Sequence, residues 1–260
     1  MKLFSYRNFR VLLLLIILAL VAIYTQEQRL STTSWYQSIP VVVFPINGDN
    51  TTATENYISK LKTADFKDID AFFSKQGKRY KLTAASPTIT RLGSSINSEP
   101  PAPPADRSNT LAVMFWSLQL RYWAYQHTPD SESNSNRIRL YVIYHQSKQG
   151  PLPHSLGLQK GLIGVIHAYA NPKQKQQNHI VMVHEILHTV VASDKYDHRN
   201  QPIFPIGYAK PQQKPLYPQR FAEIMAGRKA LSKNEAEMPY SLRHVTVGPE
   251  TAQEINWIEP

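Results

Sequence analysis

From Val11 to Tyr24 the chain runs through 14 apolar residues without a break, behind a start that carries Lys2, Arg7 and Arg10. Such a run has no polar face to offer water, so it belongs in a membrane, a signal peptide or a buried helix rather than on a domain surface. A spanning helix needs ~20 apolar residues, and a run of this length suits the central region of a signal peptide. The cleavage site is poorly formed, however. Leu20 and Ala22 are the best pair before a cut, and Tyr24-Thr25-Gln26 has no small-x-small pattern. The expectation is an uncleaved signal anchor over residues 1–25, with a cleaved signal and a core helix as alternatives. By the positive-inside rule the basic flank stays cytoplasmic. The rest of the chain then lies outside the cytoplasm, on the periplasmic side of the inner membrane if the source is bacterial.

The remainder of the 260 residues suffices for one packed domain. A polar juxtamembrane stalk is expected over 26–39 and a single domain over 40–260. The formal net charge is +10, and setting Lys2, Arg7 and Arg10 aside leaves 26 basic against 19 acidic residues. That surplus is modest and dispersed, and no basic run is interleaved with aromatics, so nucleic acid is not an expected partner. The chain has no cysteine, so any bound metal must be held by His, Asp or Glu.

Along the domain, Val41-Val42-Val43-Phe44 reads as a buried strand stopped by Pro45 and the Asn47-Gly48 turn. Phe66, Ile69, Phe72 and Phe73 fall at helical spacing between Asp65 and Tyr80, and Ser86 to Leu92 can form a strand. Pro100, Pro101, Pro103 and Pro104 favour an extended insertion near 99–106. An apolar helix is expected from about Asn109 to Tyr125, with Trp116 and Trp123 a heptad apart and turned to the core. A half-buried, alternating strand from Arg137 to Tyr144 should follow, then a Gly/Pro-containing loop and a strand from Leu162 to Ala170.

Next comes the segment that carries chemistry, His184-Glu185-Ile186-Leu187-His188. On a helix the two histidines are one turn apart, so one ion can bridge their imidazoles, and Glu185 on the flank can abstract a proton from metal-bound water without being a ligand. Ile180, Val183, Leu187, Val190 and Val191 form an apolar stripe for the core, with Asn178 a candidate N-cap. Catalytic zinc takes three protein ligands and keeps one position open, so a third must be found.

The sequence continues Thr189-Val190-Val191-Ala192-Ser193-Asp194. Here the chain resembles the metzincin branch of the zincin metallopeptidases, whose extended motif has a glycine three residues after the second histidine and a third ligand three residues later. The resemblance implies that Asp194 is that ligand. It is supported by Glu223-Ile224-Met225-Ala226-Gly227, which resembles the family's methionine turn, and by Leu231-Ser232-Lys233-Asn234-Glu235, which resembles its following helix start. Val191 stands where the family has glycine. If it stayed helical, Asp194 would point about 240° around the helix from His188, so Ala192 and Ser193 are the residues expected to bend the chain. In the related gluzincin branch the third ligand is a downstream glutamate, and Glu223 is the rival on that scheme.

These readings converge on an α+β, zincin-like mixed sheet with an active-site helix. Leu162 to Ala170 would be its exposed edge strand, binding an extended peptide substrate. The expected activity is that of a membrane-tethered zinc metallopeptidase, with Zn2+ on His184, His188 and Asp194, Glu185 as base and Tyr196 donating to a developing oxyanion. His154 and His167 could contact substrate, and Asp197 or His198 could support the metal-bound imidazoles. A catalytically silent envelope scaffold is the alternative, motivated by Val191, and hydrolysis of a non-peptide amide is a third reading.

Overall fold

The computed structural model describes residues 6–106, 108–129, 137–146 and 152–259. Helix α1 spans Tyr6–Thr33, and its window Tyr6–Ile23 has a mean hydropathy of 2.1 with none of it buried. By length and composition it can cross a membrane, and a signal sequence meets the same description. The helix continues through most of the segment expected to be a stalk. Two residues after its end, Trp35 turns at φ 53 and buries its indole, which donates to the Ile255 carbonyl at 2.6 Å and meets Trp257 edge-on. Packing therefore begins at the end of α1, where Thr33 is already buried.

The central sheet has five strands in the order β2-β1-β3-β5-β4: β1 Ile39–Asn47, β2 Thr88–Leu92, β3 Ile138–His145, β4 Leu156–Leu158 and β5 Ile163–Tyr169. The first four in that order are mutually parallel, and β4 runs antiparallel to β5. On one face Val41, Val43, Leu140, Val142 and Ile166 pack under α3 (Lys67–Arg79) and α5 (Lys175–Thr189). On the other face Val42, Phe44, Tyr141, Ile143 and Val165 pack under α4 (Thr110–His127) through Trp116, Leu120 and Trp123. Helices on both faces are what parallel strands joined by long crossovers require.

That double cover corrects several expectations. β3 does not alternate, because both of its faces are buried. β1 continues through Pro45 to Asn47, and the Pro45 carbonyl still accepts from the Ile96 amide. The strand expected at the edge, β5, is paired on both sides. The edge belongs to β4, whose Leu156, Gly157 and Leu158 cover Val165, Gly164 and Ile163. The proline-rich stretch is not loose, since the Trp116 indole donates to the Pro101 carbonyl at 2.9 Å. The 231–235 segment is not a helix start but the turn joining the two-residue strands β7 (Lys229–Ala230) and β8 (Ala236–Glu237).

Candidate metal centre

Helix α5 leaves β5 through a short 3-10 turn, Pro172–Gln174, capped by Asn171. Asn178 is not the cap; its buried amide instead clamps the end of β5, accepting from the Tyr169 amide and donating to the Tyr169 carbonyl. The strand end and helix start are thereby locked together. Three turns later the helix must release His188 and bring Asp194 back over it, and the backbone does this at Val191. The Ala192 amide donates to Leu187 O and the Val191 amide to His188 O, the paired bonds of a Schellman ending, with Val191 at φ 88 in the position that usually holds glycine. Val191 itself makes the turn that was expected of Ala192 and Ser193. A β-branched residue at positive φ is strained by about 1–3 kcal/mol, which the surrounding contacts must offset.

After that turn three donor atoms meet. His184 Nε2 and His188 Nε2 are 3.0 Å apart, and Asp194 Oδ1 lies 3.2 Å from the first and 3.1 Å from the second. Among the described residues this trio is the group of His, Asp and Glu side chains able to share a cation. Tetrahedral zinc with bonds of 2.0–2.1 Å separates its ligands by about 3.3 Å, close to the edges of this triangle. The other ring nitrogens are occupied: His184 Nδ1 donates to Ile224 O at 3.0 Å and His188 Nδ1 to Ala192 O at 2.8 Å. Each bond fixes the tautomer that leaves Nε2 as a lone-pair donor. Backbone carbonyls therefore orient the imidazoles, and Asp197 does not. Its carboxylate accepts from the Arg199 and Gln201 amides in its own turn, with His198 exposed beside it.

Electrostatics favour a cation here. Burial works to lower the His184 pKa, but the Asp194 hydrogen bond and the Glu185 charge outweigh it and raise it to about 9. Burial works to raise that of Asp194, but the two imidazoles hold it well below the usual carboxylate range. An ion entering here would displace the proton that His184 shares with Asp194, so binding would release a proton and weaken as pH falls.

Glu223, the rival ligand, is placed elsewhere. It is fully buried and its oxygens accept from the Met225 and Ala226 amides, the Gly248 amide and the Thr251 hydroxyl. It holds the 3-10 turn Ile224–Ala226, and that turn presents the Ile224 carbonyl to His184. Met225 lies in the core of the same turn, and its carbonyl accepts from the Lys195 amide.

Sequence reasoning missed two supports. Lys195 is buried beside Asp194, and its ammonium donates to Ser193 O, Ser193 Oγ and Glu254 Oε1, the last at 2.6 Å. Glu254, in α6 (Pro249–Glu254), also accepts from the Ser193 amide and hydroxyl, so the loop carrying Asp194 is braced on both sides. No local pattern announces a partner 59 residues away. The second is Gly157 in β4, where a Cβ would stand 2.5 Å from Glu185 O and 2.7 Å from His188 Cβ. Only glycine lets the edge strand pass this close to the helix.

Glu185 is buried, burial raises its pKa, and its Oε2 has no hydrogen-bond partner. It lines a cavity of about 290 Å3 together with Tyr196, His154, His167, Val181 and Met238. The Tyr196 ring lies 6.3 Å from the His184 ring. His167 pairs with His145 at 3.1 Å, and burial lowers its pKa to about 4, so it faces the cavity uncharged. A larger cavity, about 450 Å3, lies between α3 and residues 240–244 and is lined by none of these groups.

No protein-family model and no curated protein matches the chain. Among solved structures, a similar chain comes from "Structure of a chaperone-substrate complex", with 14% identity and a TM-score of 0.40 over 84% of this chain and 33% of that one. The chain thus spans about a third of the length of that neighbour. A likeness at this level bears on neither mechanism nor substrate.

Proposed function

We propose that the chain is a zincin-like, zinc-dependent hydrolase of peptide bonds, with His184, His188 and Asp194 holding the ion. The observation that carries this reading is the triangle of donors at 3.0–3.2 Å, each imidazole fixed through its other nitrogen by a carbonyl. The donor set fits zinc: two imidazoles and one carboxylate leave a fourth position open, the composition of a catalytic rather than a structural site. Zinc bound there would supply a Lewis acid and a water of pKa near ~7.

The residues of the chain do the rest. Glu185 lines the cavity beside His184, and its buried Oε2 has no hydrogen-bond partner, so the carboxylate can take a proton from water and return it to the leaving amine. Tyr196 borders the same cavity and can donate to the oxyanion as it develops. An extended substrate would pair with the outer side of β4, whose other side is taken by β5. The metzincin-like turn is supported by Val191, which adopts a glycine-like φ in the glycine position. Helix α1 would tether the domain, with the basic residues at its start holding the catalytic part outside the cytoplasm.

The test is cleavage of a peptide library by the zinc-loaded protein and by Glu185→Gln. The substitution should keep zinc and lower the cleavage rate about 10²–10⁴-fold. Equal rates for the two proteins would remove Glu185 from the chemistry. Zinc bound with no peptide cut would favour the silent scaffold, and cleavage of cell-wall amides alone would favour the non-peptide reading.

A further inference from the structure

Helix α4 is apolar on two faces, and the sheet covers one. Trp116, Leu120 and Trp123 point into the core, while Leu111, Phe115, Leu118, Tyr122 and Tyr125 lie 58–77% exposed on the opposite side, with Met114 beside them. A helix that is apolar all round is normally buried all round. The exposed set has a definite period. Its steps are four, three, four and three residues, the seam of a two-helix packing sustained along the helix. Within Thr110–His127 there is no acidic residue, and the cation nearest the seam, Arg121, turns back to donate to the Ser117 carbonyl.

The size of this face points to its occupant. A buried aromatic side chain contributes ~150–250 Å2, so the three exposed aromatics with the two leucines and Met114 present roughly 700 Å2. A typical monomer's largest apolar patch is ~300–600 Å2, whereas each partner in a stable interface contributes about 800 Å2. The 3.5-residue seam calls for another helix, and the absence of charge makes the face complementary to itself. We propose that α4 is a homodimer interface, in which two copies pack α4 against α4 around a two-fold axis through Leu118, the midpoint of the seam. Two-fold pairs are the commonest homo-oligomers, and this one would bury on each copy the helix face that a single copy leaves to water.

The test uses the full chain in mild detergent, with mass measured by light scattering after subtraction of the detergent. The wild type should have twice the 29.7 kDa chain mass. Leu118→Glu should have the single-chain mass with an unchanged circular-dichroism spectrum, because the side chain it replaces is exposed and α1 is intact. The chain has no cysteine, so Leu118→Cys gives a clean cross-link. Residue 118 faces its own copy whether the helices run parallel or antiparallel, and mild oxidation should join the Leu118→Cys chains several-fold more than an Ala53→Cys control on the exposed start of α2 (Thr52–Ile58). A monomeric wild type, a Leu118→Glu protein of unchanged dimeric mass, or equal cross-linking at 118 and 53 overturns the proposal. A monomeric wild type in which a polarity-sensitive probe on Leu118→Cys shifts to an apolar environment on mixing with lipid vesicles, while the same probe on Ala53→Cys does not, would assign the face to lipid instead.

Discussion

At the scale of single residues the site depends on Val191. Its φ of 88 keeps Asp194 within reach of the histidines at a local cost that glycine would not incur. Val191→Gly should therefore leave zinc binding intact and stabilise the fold. Release of about 1–3 kcal/mol of strain, against about 0.5–1 kcal/mol for the freer unfolded chain, gives a rise in Tm of a few degrees by calorimetry. An unchanged or lower Tm would mean that Val191 is unstrained. Glu223 and Asp194 separate by the same logic. Asp194→Ala should weaken zinc while leaving the fold, whereas Glu223→Ala strands four donors in the core and should lower Tm first. The placement of the two histidines and Glu185 on one helix was legible because it follows from their spacing alone. The carbonyls of Ile224 and Ala192 were not, since any residue has a carbonyl and only the folded chain decides which one meets an imidazole.

At the scale of elements the site is where α5, β4 and the 193–195 loop are forced together. Gly157→Ala would drive a methyl into the Glu185 carbonyl, and overpacking of this kind costs about 1–3 kcal/mol. If α5 yields, the donor triangle opens, and zinc affinity measured with a competing chelator should fall roughly tenfold. Unaltered affinity would mean that the strand moves instead. The Glu254–Lys195 brace gives a pH dependence. Burial pushes the Glu254 pKa upward, but hydrogen bonds from Lys195 and Ser193 outweigh it and hold it below the ordinary glutamate value. A depressed carboxylate stabilises the fold above its unfolded pKa and loses that contribution as pH falls through the folded one. Stability should therefore drop more steeply between about pH 5 and 3 for the wild type than for Glu254→Gln, read from urea midpoints. Identical slopes would show that the brace carries no linked proton. Long elements with strong patterns, α4 and α5 among them, were readable from sequence. Three-residue β4 was not, because so short a strand has no period and exists only through its pairing with β5.

At the scale of the whole molecule, a helix long and apolar enough to cross a membrane runs almost directly into a packed domain, since Trp35 is anchored against Ile255 and Trp257 two residues after α1 ends. Composition located the apolar run but not this junction, which depends on a partner more than 200 residues away. Trp35→Ala should cost about 3–5 kcal/mol of domain stability without releasing the chain from a membrane fraction, so unfolding and extraction should separate. A Tm within a degree of wild type would place Trp35 outside the core. If His184, His188 and Asp194 hold a catalytic zinc ion, the zinc content of the purified full chain, read by plasma mass spectrometry, follows those three residues. One zinc per chain in the wild type and in Glu185→Gln, with loss of zinc in His184→Ala, His188→Ala and Asp194→Ala, is the predicted result. A wild type that takes up no zinc, or an Asp194→Ala protein that keeps it as tightly, would rule out this metal site.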